Sequence, residues 1–388
     1  MNQRPGESGI LTLHHVRCVR VGAGALASCA VDCAAAGAAN VLLITSPQIV
    51  GLCEPLVRDL EGLGIAVTVW SGVAGEPTRA DFAAALEAAR ATRADFVIGL
   101  GGGSPMDLAK LVAALADGRQ QFDEIVGIGL LEGRALRLAC IPTTAGTGSE
   151  ATPIAILEDE AAQLKKGAVS EHLVPDFAYL DAALTVTMPR AVTAATGIDA
   201  LTHCIEAYAN RLAHPLVDVL ALEGIRLIAR NIEAACARPD DLAAREAMLR
   251  ASHLGGMCLG PVNTAAVHAL AYPLGGEFHV AHGVANSLLL PHVLRFNVEA
   301  APARYAEVAR ALGVAPCASE LALAQAGIAE IERLSAAIGI ERRLSAFGIS
   351  ANALPGMAAA AMTVQRLLTR NVREVSEADA LAIYEAAL

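Results

Sequence analysis

Residues 96–100, FVIGL, run without a polar break into Gly101-Gly102-Gly103, and Ser104-Pro105-Met106-Asp107 follow. A short apolar run bounded by glycine is a strand buried on both faces. Serine and proline mark helix starts, so the pattern is strand, glycine turn, helix. On this reading Ser104 is the N-cap, Pro105 the first helical residue, and Asp107 bonds back to the cap. Consecutive glycines are conformationally costly, but they let backbone N–H groups approach an anion where the helix dipole favours negative charge. A diphosphate is the natural guest.

The surrounding sequence repeats this grammar. Strand-like runs at 17–21, 40–45, 66–70, 96–100 and 136–141 alternate with helical patterns at 25–37, 49–63 and 78–91. Such alternation predicts a parallel sheet with helices on both faces. Past Pro189 strand runs nearly vanish. Residues 191–212, 215–237, 242–258, 305–312, 318–338 and 351–368 carry helical periodicity, punctuated by glycine and proline. Two domains are expected, an α/β unit over 1–188 and an all-α unit over 189–388. The length of 388 residues suits about two domains.

Composition narrows the function classes. With 54% hydrophobic and 18% charged residues the chain is not disordered, and at 3% aromatic its core is Ala, Leu, Val and Ile. The net charge is −11 and no Lys/Arg run stands out, so neither nucleic acid nor an anionic membrane is an expected partner. No apolar run reaches membrane-spanning length, and residues 1–9 are polar rather than a signal peptide. Nine scattered cysteines, an odd number without a CxxC pair, read as reduced, mostly buried thiols and a cytoplasmic setting.

Three further segments carry chemistry. PTTAGTGSEAT, residues 142–152, follows the strand at 136–141 and offers hydroxyls for a ribose, phosphate or nicotinamide. GAGALA at 22–27 fits GxGxxA, but no acid stands about 20 residues later at the end of the next strand, so it reads as a decoy. Asp199 and His203 share one helix face, and His268 and His282 follow. A straight helix would hold those last two roughly 21 Å apart, at about 1.5 Å per residue. Pro273, Gly275 and Gly276 allow the chain to break and return. One carboxylate and three imidazoles suit Fe²⁺ or Zn²⁺. His279 lies three residues before His282 and can face the same pocket.

GGGSPMDLAK, PTTAGTGSE, GIDALTHCIEAY and HGVANSLLLPHVLRFN, in this order, resemble the iron-containing (group III) alcohol dehydrogenase family over nearly the whole chain. The resemblance implies a Rossmann-like α/β N-terminal domain and an all-α C-terminal metal domain, as in dehydroquinate synthase, with the active site in the cleft between them. It implies Asp199, His203, His268 and His282 as metal ligands. Gly102, Gly103, Ser104, Asp107, Thr143, Thr144 and Thr147 become cofactor residues, with Lys166 near the ribose. The implied partners are a small alcohol or aldehyde, NAD or NADP, and a second copy in a homodimer. Two positions depart from the family pattern. Ser46 stands where NAD-preferring members often have Asp, which leaves cofactor choice open. Tyr272 replaces a second histidine near the reacting oxygen, leaving Tyr272 and His279 as the proton-relay candidates. Two alternatives share the architecture. One is a maleylacetate reductase-like enzyme. The other is a dehydroquinate synthase-like lyase, disfavoured by the few Lys and Arg over residues 191–291.

Overall fold

The computed structural model describes residues 10–159 and 164–388, and the polar segment 1–9 lies outside them. His14–Thr187 form one compact unit, and a second runs from Met188 to Leu388.

Six strands make the sheet of the first unit: β1 (Cys18–Val21), β2 (Asn40–Ile44), β3 (Ala66–Trp70), β4 (Phe96–Gly101), β6 (Arg137–Pro142) and β9 (Phe177–Leu180). Their order is β1-β9-β6-β4-β2-β3, every pairing parallel. Leu42, Leu43, Ile98 and Ile141 are sealed from solvent, as strands covered on both faces must be. The covering helices are α1 (Ala27–Ala35), α2 (Glu54–Gly62), α3 (Arg79–Ala91), α4 (Gly103–Leu115) and the single-turn α5 (Phe122–Ile125). Thr78 and Asp81 close a capping box that starts α3. A small second sheet joins β5 (Gly127–Ile128), β7 (Ile154–Asp159) and β8 (Leu164–Val169).

The helical unit contains α6 (Arg190–Tyr208), α7 (Pro215–Ala237), α8 (Leu242–Leu259), α9 (Ala266–Phe278) and α10 (His282–Asn297). It continues through α11 (Pro302–Ala311), α12 (Glu320–Ile338), α13 (Leu354–Ala361), α14 (Gln365–Leu368) and α15 (Glu377–Ala387). Helix α6 is buried on nearly all sides because α7, α8 and α10 all pack on it. Among the described residues no helix is long and apolar enough to cross a membrane.

Three expectations need correction. Helix α4 starts two residues early, with Gly102 as N-cap, so Ser104 and Asp107 are not its capping pair. The triple glycine itself supplies the extended-to-helical transition. Pro273 does not break the chain; α9 runs through it and ends where His279 turns left-handed at φ +53°. The helical pattern at 351–368 is two short helices rather than one. Strands β7, β8 and β9, and helices α9, α10 and α15, escaped the sequence reading.

Candidate metal centre and cofactor loops

Strands β4 and β6 are neighbours in register, Gly101 beside Pro142, so the loops that leave them emerge together. Strand β2 pairs with β4 on the other side, and Ser46 follows its end. Ser46, Gly102–Ser104 and Thr143–Thr147 therefore share the carboxyl edge of the sheet, where open α/β sheets hold ligands. Thr143 N–H donates to Gly101 O at 2.8 Å. A Cβ on Gly103 would stand 2.9 Å from the Thr147 side chain, so only glycine fits between the loops.

Asp107 and Lys110 lock this arrangement from beneath. Asp107 accepts from Ser149 Oγ at 2.5 Å and from Ile156 N–H at 3.0 Å. Lys110 Nζ donates to Thr152 O, Thr152 Oγ1 and Ile154 O at 3.1, 2.9 and 2.8 Å, and lies 3.7 Å from Asp107. Burial pushes the Lys110 ammonium below its ordinary pKa and the Asp107 carboxyl above its own, each opposed by the other's charge. Asp107 thus anchors the two loops through both carboxylate oxygens, while its side chain stays partly exposed. Lys166, on β8, sits 2.7 Å from Asp159 and 3.6 Å from Asp123.

The two glycine turns differ at their helix starts. At α1, following the 22–27 turn, Leu26 N–H already donates to buried Asp181 Oδ2 at 3.2 Å, so a protein carboxylate fills that anion position. No side chain caps α4. Its amides fit an outside anion.

In the helical unit three side chains close round one carboxylate oxygen. His203 Nε2, His268 Nε2 and His282 Nε2 lie 3.9, 3.7 and 3.8 Å from Asp199 Oδ1. Ligand atoms of Asp199, His268 and His282 all fall within 4.8 Å of one another, and the His203 ring stacks on His268 with centroids 4.8 Å apart. Tetrahedral ligands on bonds of about 2.1 Å stand about 3.4 Å apart, close to the three approaches to Asp199 Oδ1; His203 stands outside the three-residue group and joins it only by closing on the others. The Asn286 amide N–H₂ points at the same spot, 2.7 Å from Asp199 Oδ1 and 3.1 Å from both His268 Nε2 and His282 Nε2. The acceptor lone pairs converge as a cation requires. Burial pushes the Asp199 carboxyl up, but the imidazoles, His203 foremost, hold it below the ordinary carboxylate value. The side chains of Asp199, His203 and His268 are 3–6% exposed and that of His282 40%, so the centre opens to solvent on the His282 side.

Helix packing sets this geometry. Asp199 and His203 stand one turn apart on α6, His268 on the first turn of α9, and His282 at the start of α10. A Cβ on Gly283 would lie 2.6 Å from Ala195 O, so glycine is what lets α10 begin against α6. Sequence reasoning missed Glu206, also on α6. Its carboxylate accepts from Val267 N–H at 2.6 Å and meets His268 Nδ1 at 2.5 Å. Burial pushes the Glu206 carboxyl up to about 7 and His268 well below its ordinary value. A proton held on Nδ1 leaves the His268 Nε2 lone pair for the centre. The i, i+3 spacing of His203 and Glu206 was the available signal. Tyr272, one turn beyond His268 on α9, accepts from Arg366 Nη2 at 2.5 Å. His279 is exposed at the helix end, and among the described residues no hydrogen bond joins it to Tyr272.

A glycine-edged parallel sheet in one unit and a carboxylate–imidazole centre in the helical unit mark a metal-assisted, dinucleotide-linked enzyme. Residues 17–182 match the pattern described as iron-containing alcohol dehydrogenase, and residues 193–388 the C-terminal pattern of the Fe-containing alcohol dehydrogenase family. The chain belongs to this family and is an oxidoreductase acting on CH–OH groups, with iron and NAD(P) as its cofactors. Long-chain-alcohol dehydrogenase 1 of Geobacillus thermodenitrificans is 42% identical over 373 residues, covering 95% of this chain and 94% of its own. The crystal structure of a 1,3-propanediol oxidoreductase superposes with a TM-score of 0.95 at 34% identity, over 98% of this chain and 100% of that one. Sulfoacetaldehyde reductase from Bifidobacterium kashiwanohense, solved in complex with NAD⁺, gives 0.89 at 26% identity, over 98% and 99%. These relatives do not favour the maleylacetate reductase and lyase alternatives.

Proposed function

We propose that Asp199, His203, His268 and His282 hold the divalent ion, Fe²⁺ or in its place Zn²⁺, and that the loops after β2, β4 and β6 hold NAD or NADP. The convergence of three Nε2 atoms on Asp199 Oδ1 carries this reading. When bound, the ion supplies Lewis-acid polarisation of a substrate oxygen. Asp199 and the imidazoles fix its position, and Glu206 and Asn286 orient them. Gly102, Gly103 and the free amides of α4 bind the cofactor diphosphate; Ser104, Thr143, Thr144 and Thr147 offer hydroxyls to it, and Lys166 is the cation nearest the ribose. Ser46 leaves room for a 2′-phosphate, so both cofactors are accepted.

Tyr272 handles the substrate hydroxyl proton in this proposal. Arg366 donates to the phenol oxygen, which leaves the Tyr272 O–H free to donate in turn. His279, exposed, passes the proton to solvent through water. The substrates are small aliphatic alcohols and aldehydes, and the enzyme is a cytoplasmic homodimer.

The test assays a panel of aldehydes and alcohols with NADH, NADPH and their oxidised forms, after metal analysis of the purified protein. Net cofactor turnover that disappears on chelation and returns with Fe²⁺ or Zn²⁺ is expected; turnover indifferent to chelation contradicts the reading. In Tyr272→Phe a fall in kcat of about 10²–10⁴ is expected with metal content unchanged. Equal kcat across pH leaves Tyr272 as packing only.

A further inference from the structure

Arg366, on α14, is an exposed cation beside the proposed site. Its Nη2 donates to Tyr272 OH, and its guanidinium carbon lies 5.8 Å from the centroid of that ring. Arg370 stands one turn further, donating to Val262 O at 2.6 Å and to Arg366 O at 3.1 Å. Among the described residues no carboxylate lies within ion-pair distance of Arg366 or Arg370. Like charges four residues apart repel, and Arg366 does depress the pKa of Arg370, though less than burial does. Among the described residues only backbone carbonyls and the Tyr272 ring and hydroxyl meet this pair, although acids outnumber bases in this chain, at 40 Asp and Glu to 29 Lys and Arg.

We infer that Arg366, with Arg370 behind it, is an anion subsite that receives a carboxylate, sulfonate or phosphate carried by the aldehyde or alcohol substrate. The inference rests on the dehydrogenase reading of the site and names its substrate class. Arginine is the residue suited to this task, since its planar fork matches such groups in two-pronged fashion. Tyr272 spends only one N–H of that fork, and the exposed remainder is free to bind. Because Tyr272 is one turn from His268, the anion would be held at the far end of a short substrate from its carbonyl.

The experiment compares succinic semialdehyde with 4-methylpentanal, in which an isopropyl group replaces the carboxylate. It uses holoenzyme of wild type, Arg366→Gln and Arg366→Lys, with metal content measured in each. Wild type is expected to favour the anionic aldehyde, and Arg366→Gln to lower the ratio of the two kcat/KM values by about tenfold to a hundredfold. Arg366→Lys restores part of that ratio. Any effect through Tyr272 is common to both substrates and cancels. An unchanged ratio overturns the inference. So does an equal loss for both aldehydes expressed as a higher KM for NADH or NADPH, which assigns the anion to the cofactor phosphates. Calorimetric titration of the holoenzyme with succinate separates this claim from the dehydrogenase reading. If neither aldehyde turns over but succinate binds wild type and not Arg366→Gln, the anion subsite stands and the proposed placement of a small aliphatic substrate at the metal centre falls. No succinate binding in wild type overturns the subsite.

Discussion

The two units handle buried polarity in opposite ways. In the sheet unit, the buried Lys110 and the half-buried Asp107 hold two loops together, leaving backbone amides and small hydroxyls to meet a ligand. In the helical unit, Asp199, His203, His268 and Glu206 are all buried, yet three of them point at one spot and the fourth orients one of the three. Backbone recognition needs glycine and correct loop placement, so its charged residues are scaffolding. Side-chain coordination needs charged groups as the ligands themselves, so its scaffolding is helix packing, with Gly283 at the tightest approach.

The comparison breaks most sharply at His268. His268→Ala removes a ligand and strands Glu206. Turnover is expected to fall to background and metal retention by more than about 100-fold, beyond the cost of altering a ligand's hydrogen-bond partner. Metal analysis after dialysis, with circular dichroism to verify the fold, checks this. Full metal and activity in the variant would remove His268 from the centre.

Lys110→Met probes the scaffold of the other unit. It removes three hydrogen bonds to Thr152 and Ile154 and the cation beside half-buried Asp107, at a cost of about 1–3 kcal/mol. Denaturant unfolding should show that loss, and KM for the nicotinamide should rise while metal content holds. Lost metal instead would mean that the two units do not divide the labour as described.

Glu206→Gln sharpens the helical side of the contrast. The amide can satisfy Val267 N–H or the His268 Nδ1 proton with its one oxygen, and turning its N–H₂ to Nδ1 moves the imidazole proton to Nε2. Metal affinity, measured by chelator competition, should weaken about 10–100-fold, with the His268 tautomer change visible in imidazole ¹⁵N shifts. A lower Tm at unchanged affinity would make Glu206 a packing residue.

Ser46→Asp gives the smallest effect. The new carboxylate can accept from ribose hydroxyls and repel a 2′-phosphate. The NADH/NADPH ratio of kcat/KM should rise about tenfold, worth about 1.4 kcal/mol. A constant ratio would detach the end of β2 from cofactor choice.

The same division explains what could be read from the chain. Strands β2, β3, β4 and β6 and the glycine turns were legible because each is a local pattern of a few residues. Strands β7 and β8 were not: β7 alternates buried and half-buried positions and carries Glu158 and Asp159, and the sequence of β8 begins with two lysines after Leu164. Both find their partners only through tertiary pairing. Helices α9 and α10 were hidden by Pro273 and Pro291, which proline rules place outside helices but packing tolerates here. The ligand types were legible, but their meeting depends on α6, α9 and α10 crossing, which no local pattern encodes. The loop-anchoring bonds of Asp107 were hidden for a related reason: its place in a glycine motif says nothing of Ser149 and Ile156, more than 40 residues on. Glu206 shows only its i, i+3 spacing from His203, and the roles of Glu206 and Asn286 emerge from contacts across helices.

The central claim is that one divalent ion sits among Asp199, His203, His268 and His282. Titration of metal-free protein with Co²⁺, followed by its visible absorption, tests it most directly. Wild type should saturate at one equivalent with a spectrum of mixed nitrogen and oxygen ligation, and Asp199→Ala, still folded, should lose that signal. An unchanged spectrum and stoichiometry in Asp199→Ala would place the ion elsewhere and contradict the account.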